Sequence, residues 1–162
     1  MRLSNIRYTD DCETYQILGG EAVSIDLQSG DSVEVIDVEG DQQCSLLAFD
    51  SKGSSVMNTL DWKTQPSSNS SKVSIDESSD MLKAILGHNK IKTNNLTGAD
   101  LFSAASPADS RQSFRIDKDT LCIFDAKGGP MIVDEHDAPT EILINVSRAN
   151  PTKPSERLPE PL

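Results

Sequence analysis

The sequence has no long apolar run. Nothing in it approaches the ~18 apolar residues of a membrane-spanning helix, and no apolar signal core follows Met1-Arg2-Leu3-Ser4-Asn5-Ile6-Arg7. A cytoplasmic location is the default expectation. Basic residues are scarce. Fifteen Lys and Arg against 26 Asp and Glu leave a formal net charge of -11 and a pI near 4.5. Nucleic acid and anionic membranes are not expected as partners, because both need clustered Lys and Arg. The acidic excess serves solubility. The three cysteines, Cys12, Cys44 and Cys122, are odd in number and widely spaced, with no Cys-x-x-Cys pair. That argues against a disulfide framework and for buried free thiols. Aromatic residues make up only 4%, so Val, Ile and Leu must fill most of the core. There is no phosphate loop, no Gly-x-Gly-x-x-Gly and no His-Glu-x-x-His.

What is present is alternation. The stretch from Gly30 to Asp50 reads as two strands joined by a tight turn. Val33 and Val35 point one way, and Glu34 and Ile36 the other. Glu39-Gly40 reverses the chain, since Gly40 can take a positive φ, and Cys44 to Phe49 follows as an apolar strand. Upstream, Val23, Ile25 and Leu27 alternate with Ser24, Asp26 and Gln28. With Thr14 to Leu18 before them and Gln28-Ser29-Gly30-Asp31 as a turn, three strands are expected to form an antiparallel meander. Ser51 to Ser74 reads as a long surface loop with a short strand around Val56 to Leu60, anchored by Trp62. Ser78 to Leu86 reads as a helix. Ser78 or Ser79 caps it, Asp80 sits in its first turn, Met81, Leu82, Ile85 and Leu86 share a face, and Gly87 ends it. Asn94 to Arg111 reads as loop. Ser113–Ile116, Thr120–Asp125, Pro130–Asp134 and Thr140–Arg148 read as four further strands.

The fold class expected is all-β, a β-sandwich or distorted β-barrel of about eight to ten strands with one short capping helix. Residues 1–149 form a single β domain. Residues 150–162 hold Pro151, Pro154, Pro159 and Pro161 and form a Pro-rich linker or tail.

The chemistry is sparse. Asp134-Glu135-His136-Asp137 is the densest cluster of potential ligands, but neighbours in an extended chain face opposite ways, so at most alternate members converge. Cys44 as a nucleophile needs a base, and only His88 and His136 are on offer. Alternation turns Cys44 away from Gln43 and Ser45 and toward a core. No catalytic residue, metal site or cofactor is assigned. Acidic and amide groups beside one aromatic can hold a small amine or amide. The ligand-binding candidates are Asp37, Gln42, Gln43 and Trp62, with His136 and Asp137 behind them. Self-association into a homo-oligomer is a further expectation.

The run Leu27 to Cys44, with Asp37-Val38-Glu39-Gly40-Asp41-Gln42 at its centre, resembles the opening of the urea-carboxylase-associated domain family. The segment from Gly128-Gly129-Pro130-Met131 through Pro139-Thr140 to Arg148 is similar to members fused ahead of folate-dependent aminomethyltransferase-like modules related to the glycine-cleavage T-protein. The match covers about the first third and last quarter of the chain. The resemblance implies an accessory or small-molecule-binding domain, with an aminomethyltransferase-like module as its C-terminal partner. It also implies an alternative, a stand-alone amidine- or urea-type hydrolase, metal-dependent or not, since some lone members act on carboxylated guanidine. Many members carry an aspartate where this chain has Ser45, and active members place a cysteine soon after a His-Asp pair. No cysteine follows His136-Asp137 here, so this copy reads as non-catalytic.

Overall fold

Alternating burial builds the layers. The structure is a computed structural model, and it describes residues 6–8, 12–40, 42–64, 68–73, 80–92, 96–102, 106–126 and 141–149. Eleven strands and one helix lie among them: β1 (Ile6–Tyr8), β2 (Cys12–Leu18), β3 (Ala22–Leu27), β4 (Ser32–Asp37), β5 (Cys44–Phe49), β6 (Leu60–Trp62), β7 (Ser68–Lys72), α1 (Asp80–His88), β8 (Thr97–Phe102), β9 (Ser110–Ile116), β10 (Thr120–Ala126) and β11 (Glu141–Ser147). They form two antiparallel sheets. One has six strands in the order β1-β2-β11-β4-β9-β6, the other five in the order β3-β10-β5-β8-β7. The fold is the expected all-β sandwich with one helix.

Every second residue of β2 and β11 is buried: Glu13, Tyr15 and Ile17 on one, Ile142, Ile144 and Val146 on the other. The apolar members meet Cys44, Leu46, Ala48, Cys122 and Phe124 of the second sheet in the inter-sheet core. β5 is buried at every position. Its alternate residues Leu47 and Phe49 join Ile123, Leu82 and Leu86 in a second core under α1. An unbroken apolar run is what a strand covered on both faces requires. Cys44 lies in the inter-sheet core, as its alternation predicts.

Two expected pairings are corrected. β4 and β5 do not form a hairpin, and β2, β3 and β4 do not form a meander. The chain changes sheet at each connection: β2 and β4 belong to the six-stranded sheet, β3 and β5 to the other. The apolar faces explain this. Crossing over places consecutive strands in opposite layers, so Tyr15, Ile17, Val33 and Val35 share one core with Val23, Ile25, Leu46 and Ala48. The Asp37 carboxylate also widens the β4–β5 corner by accepting the Gly40 and Gln42 backbone N–H groups, each at 3.1 Å.

Two expected loops contain regular structure, and β1 precedes the first expected strand. The short strand expected around Val56 to Leu60 is instead a 3-10 turn, Met57–Thr59, leading into β6, and Ser68–Lys72 is a strand. Within Asn94 to Arg111 lies β8, whose Thr-Gly-Ala-Asp start has too little apolar bulk to register as a strand, although Ala99 is fully buried. The helix runs through Gly87 to His88. Lys90, at φ 57, is the left-handed terminator in place of Gly87. The Ile91 N–H reaches Leu86 O at 2.9 Å and the Lys90 N–H reaches Gly87 O at 3.1 Å. This is a Schellman closure, sealed by burial of both Leu86 and Ile91. Ser78, Ser79 and the expected strand Pro130–Asp134 lie outside the described residues, as does the tail 150–162. No helix among the described residues is long and apolar enough to cross a membrane.

Candidate functional site

Strands β2, β4, β8 and β10 end, and β3, β5, β9 and β11 begin, at one end of the sandwich. The register fixes this. Asp37 at the end of β4 faces Ser110 at the start of β9 and Ile142 near the start of β11. Ala126, the last residue of β10, pairs with Cys44, the first of β5, and Glu141 pairs with Leu18. Loops gathered at one end of a rigid sandwich are its natural binding surface.

Asp37 is completely buried. With its carboxylate oxygens facing backbone donors, it shapes the corner. Gly40 follows with φ +84, and a Cβ there would come within 2.7 Å of Ser106 O. The Asp109 N–H donates to Asp37 O at 2.8 Å and ties the β8–β9 connection to the same corner. Gln42 is also buried; its carboxamide donates to Gln43 O at 2.7 Å, and its oxygen lies against Gly19 of the β2–β3 connection. Gln43 is exposed. Asp37, Gln42 and Gln43 are thus brought together at the loop end. His136 and Asp137 lie outside the described residues, but the segment that holds them leaves from Ala126 and returns at Glu141, both at this end.

Trp62 is elsewhere. It sits on the edge strand β6, half-buried, with its ring centroid 5.1 Å from that of Phe114. Phe114 is four residues along β9 from Ser110, so about 13 Å of strand separates the two positions. The structure does not place the tryptophan beside Asp37 and Gln42; it packs against the inter-sheet core. Cys44 and Cys122 are buried in that core, and burial pushes the Cys122 thiol far above its ordinary range. His88 is exposed at the end of α1.

Sequence reasoning missed an ionic cluster at the opposite end. The Arg148 guanidinium donates through Nε and Nη2 to both oxygens of Glu13, at 2.6 and 2.9 Å, and through Nη1 to Asp31 Oδ2 and Asp26 O, each at 2.8 Å. Glu13 also accepts the Tyr15 hydroxyl at 2.5 Å. Burial works against the charged guanidinium, but the two carboxylates outweigh it and hold Arg148 above the usual arginine range. These groups are 117 and 135 residues apart in the chain, and no local pattern announces them.

No family model matches the chain. It is 26% identical over 155 residues to the trimethylamine-oxide aldolase of Ruegeria pomeroyi, an alignment covering 93% of this chain and 20% of that protein. The chain therefore spans about a fifth of the length of the curated relative it matches. In structure it is similar to a DUF1989 family protein from Silicibacter pomeroyi, with a TM-score of 0.53 and 11% identity over 99% of this chain and 83% of that one. At that identity the likeness shows a shared fold.

Proposed function

We propose that this chain is the β-sandwich part of a small-molecule enzyme acting on a methylated amine or amine oxide, with its ligand held at the loop end. The observation that carries this reading is the alignment, which runs along nearly the whole chain and leads to an aldolase named for trimethylamine oxide. It favours an enzymatic role over the non-catalytic accessory role expected from the sequence. The chemistry of the loop end is compatible with it. Gln43 is exposed there beside the rigid Asp37–Gln42 corner, and the segment carrying His136 and Asp137 is anchored at the same end. Acidic and amide groups of this kind orient a small amine by hydrogen bonds and charge.

The finer reading is a urea-carboxylase-associated domain ahead of an aminomethyltransferase-like module. It is supported by the length relation, since four-fifths of the aldolase lies beyond the part this chain matches. In that arrangement the loop end binds the amine and a partner module shares the chemistry.

The test is direct. The purified chain is incubated with trimethylamine oxide, trimethylamine, guanidine and urea, with thermal shift and release of a carbonyl product as readouts. Carbonyl release from trimethylamine oxide that His136→Ala abolishes supports the enzymatic reading. Saturable binding without turnover, weakened by Gln43→Ala, supports the accessory form. No response to any amine overturns both.

A further inference from the structure

A cleft of about 520 Å³ lies on the outer face of the six-stranded sheet, at the end away from the loop site. Ser32 opens β4 and Asp37 closes it, so about 17 Å of strand separates the cleft from the buried corner. Cross-strand register makes its floor. Cys12, Ser147, Ser32 and Arg115 stand in one row across β2, β11, β4 and β9; Thr14, Asn145, Glu34 and Ser113 stand in the next. Such rows bring side chains within reach of one ligand.

The hydrogen-bonding capacity of this floor is lopsided. Asn145 Oδ1 accepts the Thr14 hydroxyl at 2.8 Å, which turns the Asn145 amide nitrogen to other acceptors. Glu34, the carboxylate in the lining, is already paired with Arg111 Nη1 at 3.2 Å. Lys63 is held by Asp61 at 3.0 Å. Arg115 makes no ion pair among the described residues. What remains is a guanidinium fork, an amide NH₂ and serine hydroxyls, all able to donate. Asp61 stands across from Arg115 in the β6–β9 register, but its carboxylate is taken by Lys63 at 3.0 Å, which leaves the guanidinium to a ligand.

We propose that this cleft is a second site, one that binds a small carboxylate-bearing molecule, with the carboxylate on Arg115 and the Asn145 amide. The planar guanidinium matches a carboxylate in a two-bond fork. A carboxylate suits the surroundings better than a phosphate dianion, because the single charge meets less repulsion from Glu34 and from the acidic chain. The volume falls within the range of small-molecule sites.

The experiment titrates the whole chain with glutarate and, separately, inorganic phosphate, following backbone amide shifts by NMR. The expected result is saturable glutarate binding that shifts Ser32, Ser113 and Ser147, and is weakened about tenfold in Arg115→Gln. Arg115→Lys retains part of it, and Gln43→Ala leaves it unchanged, which separates this site from the loop end. Bound glutarate also slows alkylation of Cys12 by iodoacetamide. Shifts elsewhere, binding indifferent to Arg115→Gln, or phosphate binding as tightly as glutarate would overturn the proposal.

Discussion

Arg148 and Glu13 form a two-bond ion pair, with Nε to Oε2 at 2.6 Å and Nη2 to Oε1 at 2.9 Å, across 135 residues of sequence. The pair joins the end of β11 to the start of β2. The Asp31 carboxylate extends it to the β3–β4 turn, where it also accepts the Ala149 N–H at 2.9 Å and the Gln28 N–H at 2.8 Å. One guanidinium thus locks both sheets at this end. Glu13 and Asp31 are each 1% exposed, so neither can turn to water if the cation is removed.

Arg148→Met is therefore expected to cost about 3–5 kcal/mol, because it strands two buried carboxylates. Melting should fall by on the order of 10 °C. Adding Glu13→Gln to that variant should recover part of the loss, since it removes one uncompensated charge. A variant as stable as the parent would show that the cluster contributes nothing net. The guanidinium is held above its ordinary range, so its contribution is complete below that range and is lost only at extreme alkalinity. The effect of Arg148→Met should not vary with pH near neutrality on account of the arginine.

The cluster also defines where the domain can be cut. A chain ending at Ala149 keeps Arg148 and the Ala149–Asp31 hydrogen bond, and it should melt with the parent, because the Pro-rich remainder carries little apolar surface. A chain ending at Ser147 loses the whole cluster and should lose as much stability as Arg148→Met. Calorimetry of the two truncations decides it; equal losses would show that residues 150–162 hold the domain together.

Cys122 sets an alkaline limit. Burial pushes its thiol far above the ordinary value of 9.0, so the folded chain keeps it neutral while the unfolded chain ionises it. The stability this gives is complete below about pH 9 and is lost as pH rises beyond it. Chemical unfolding from pH 8 to 11 should show a decline above pH 9 that is steeper in the parent than in Cys122→Ala. Parallel slopes would remove the thiol from the account. By the same burial, iodoacetamide should label half-buried Cys12 well before Cys122.

The strands were legible where burial alternates, as in β11, and where it is unbroken, as in β5. Their partners were not. Gly40 and the turn at Gln28 to Asp31 look like hairpin signals, and local chemistry does not distinguish a turn within a sheet from one that crosses between sheets. The choice depends on which distant strand covers which face, as Val33 meeting Phe114 and Val146 shows. β8 hid behind small residues. At the loop end, Asp37 and Gln42 stand together because they are close in sequence; Trp62, from another strand, does not join them. Arg148 and Arg115 carried no local motif, and only long-range register assembles their sites.

Positive φ gives the last prediction, and it has opposite signs at two positions. Lys90 terminates α1 in the left-handed region at φ 57, where a Cβ is strained and glycine is not. Lys90→Gly should therefore stabilise the chain by about 0.5–1 kcal/mol, since the Schellman closure between Ile91 and Leu86 stays intact. Gly40 presents the reverse case. It combines φ +84 with backbone crowding, because a Cβ would stand 2.7 Å from Ser106 O and 2.8 Å from Ala108 N. Backbone atoms cannot swing aside as a side chain does. Gly40→Ala should destabilise by about 1–3 kcal/mol and loosen the Asp37 corner along with it. Backbone amide exchange at Gln42 and Asp109 should then accelerate, because both N–H groups donate to Asp37. If exchange at these two amides is unchanged while global stability falls, the corner is rigid without Gly40, and the loop end owes its shape to the strands alone.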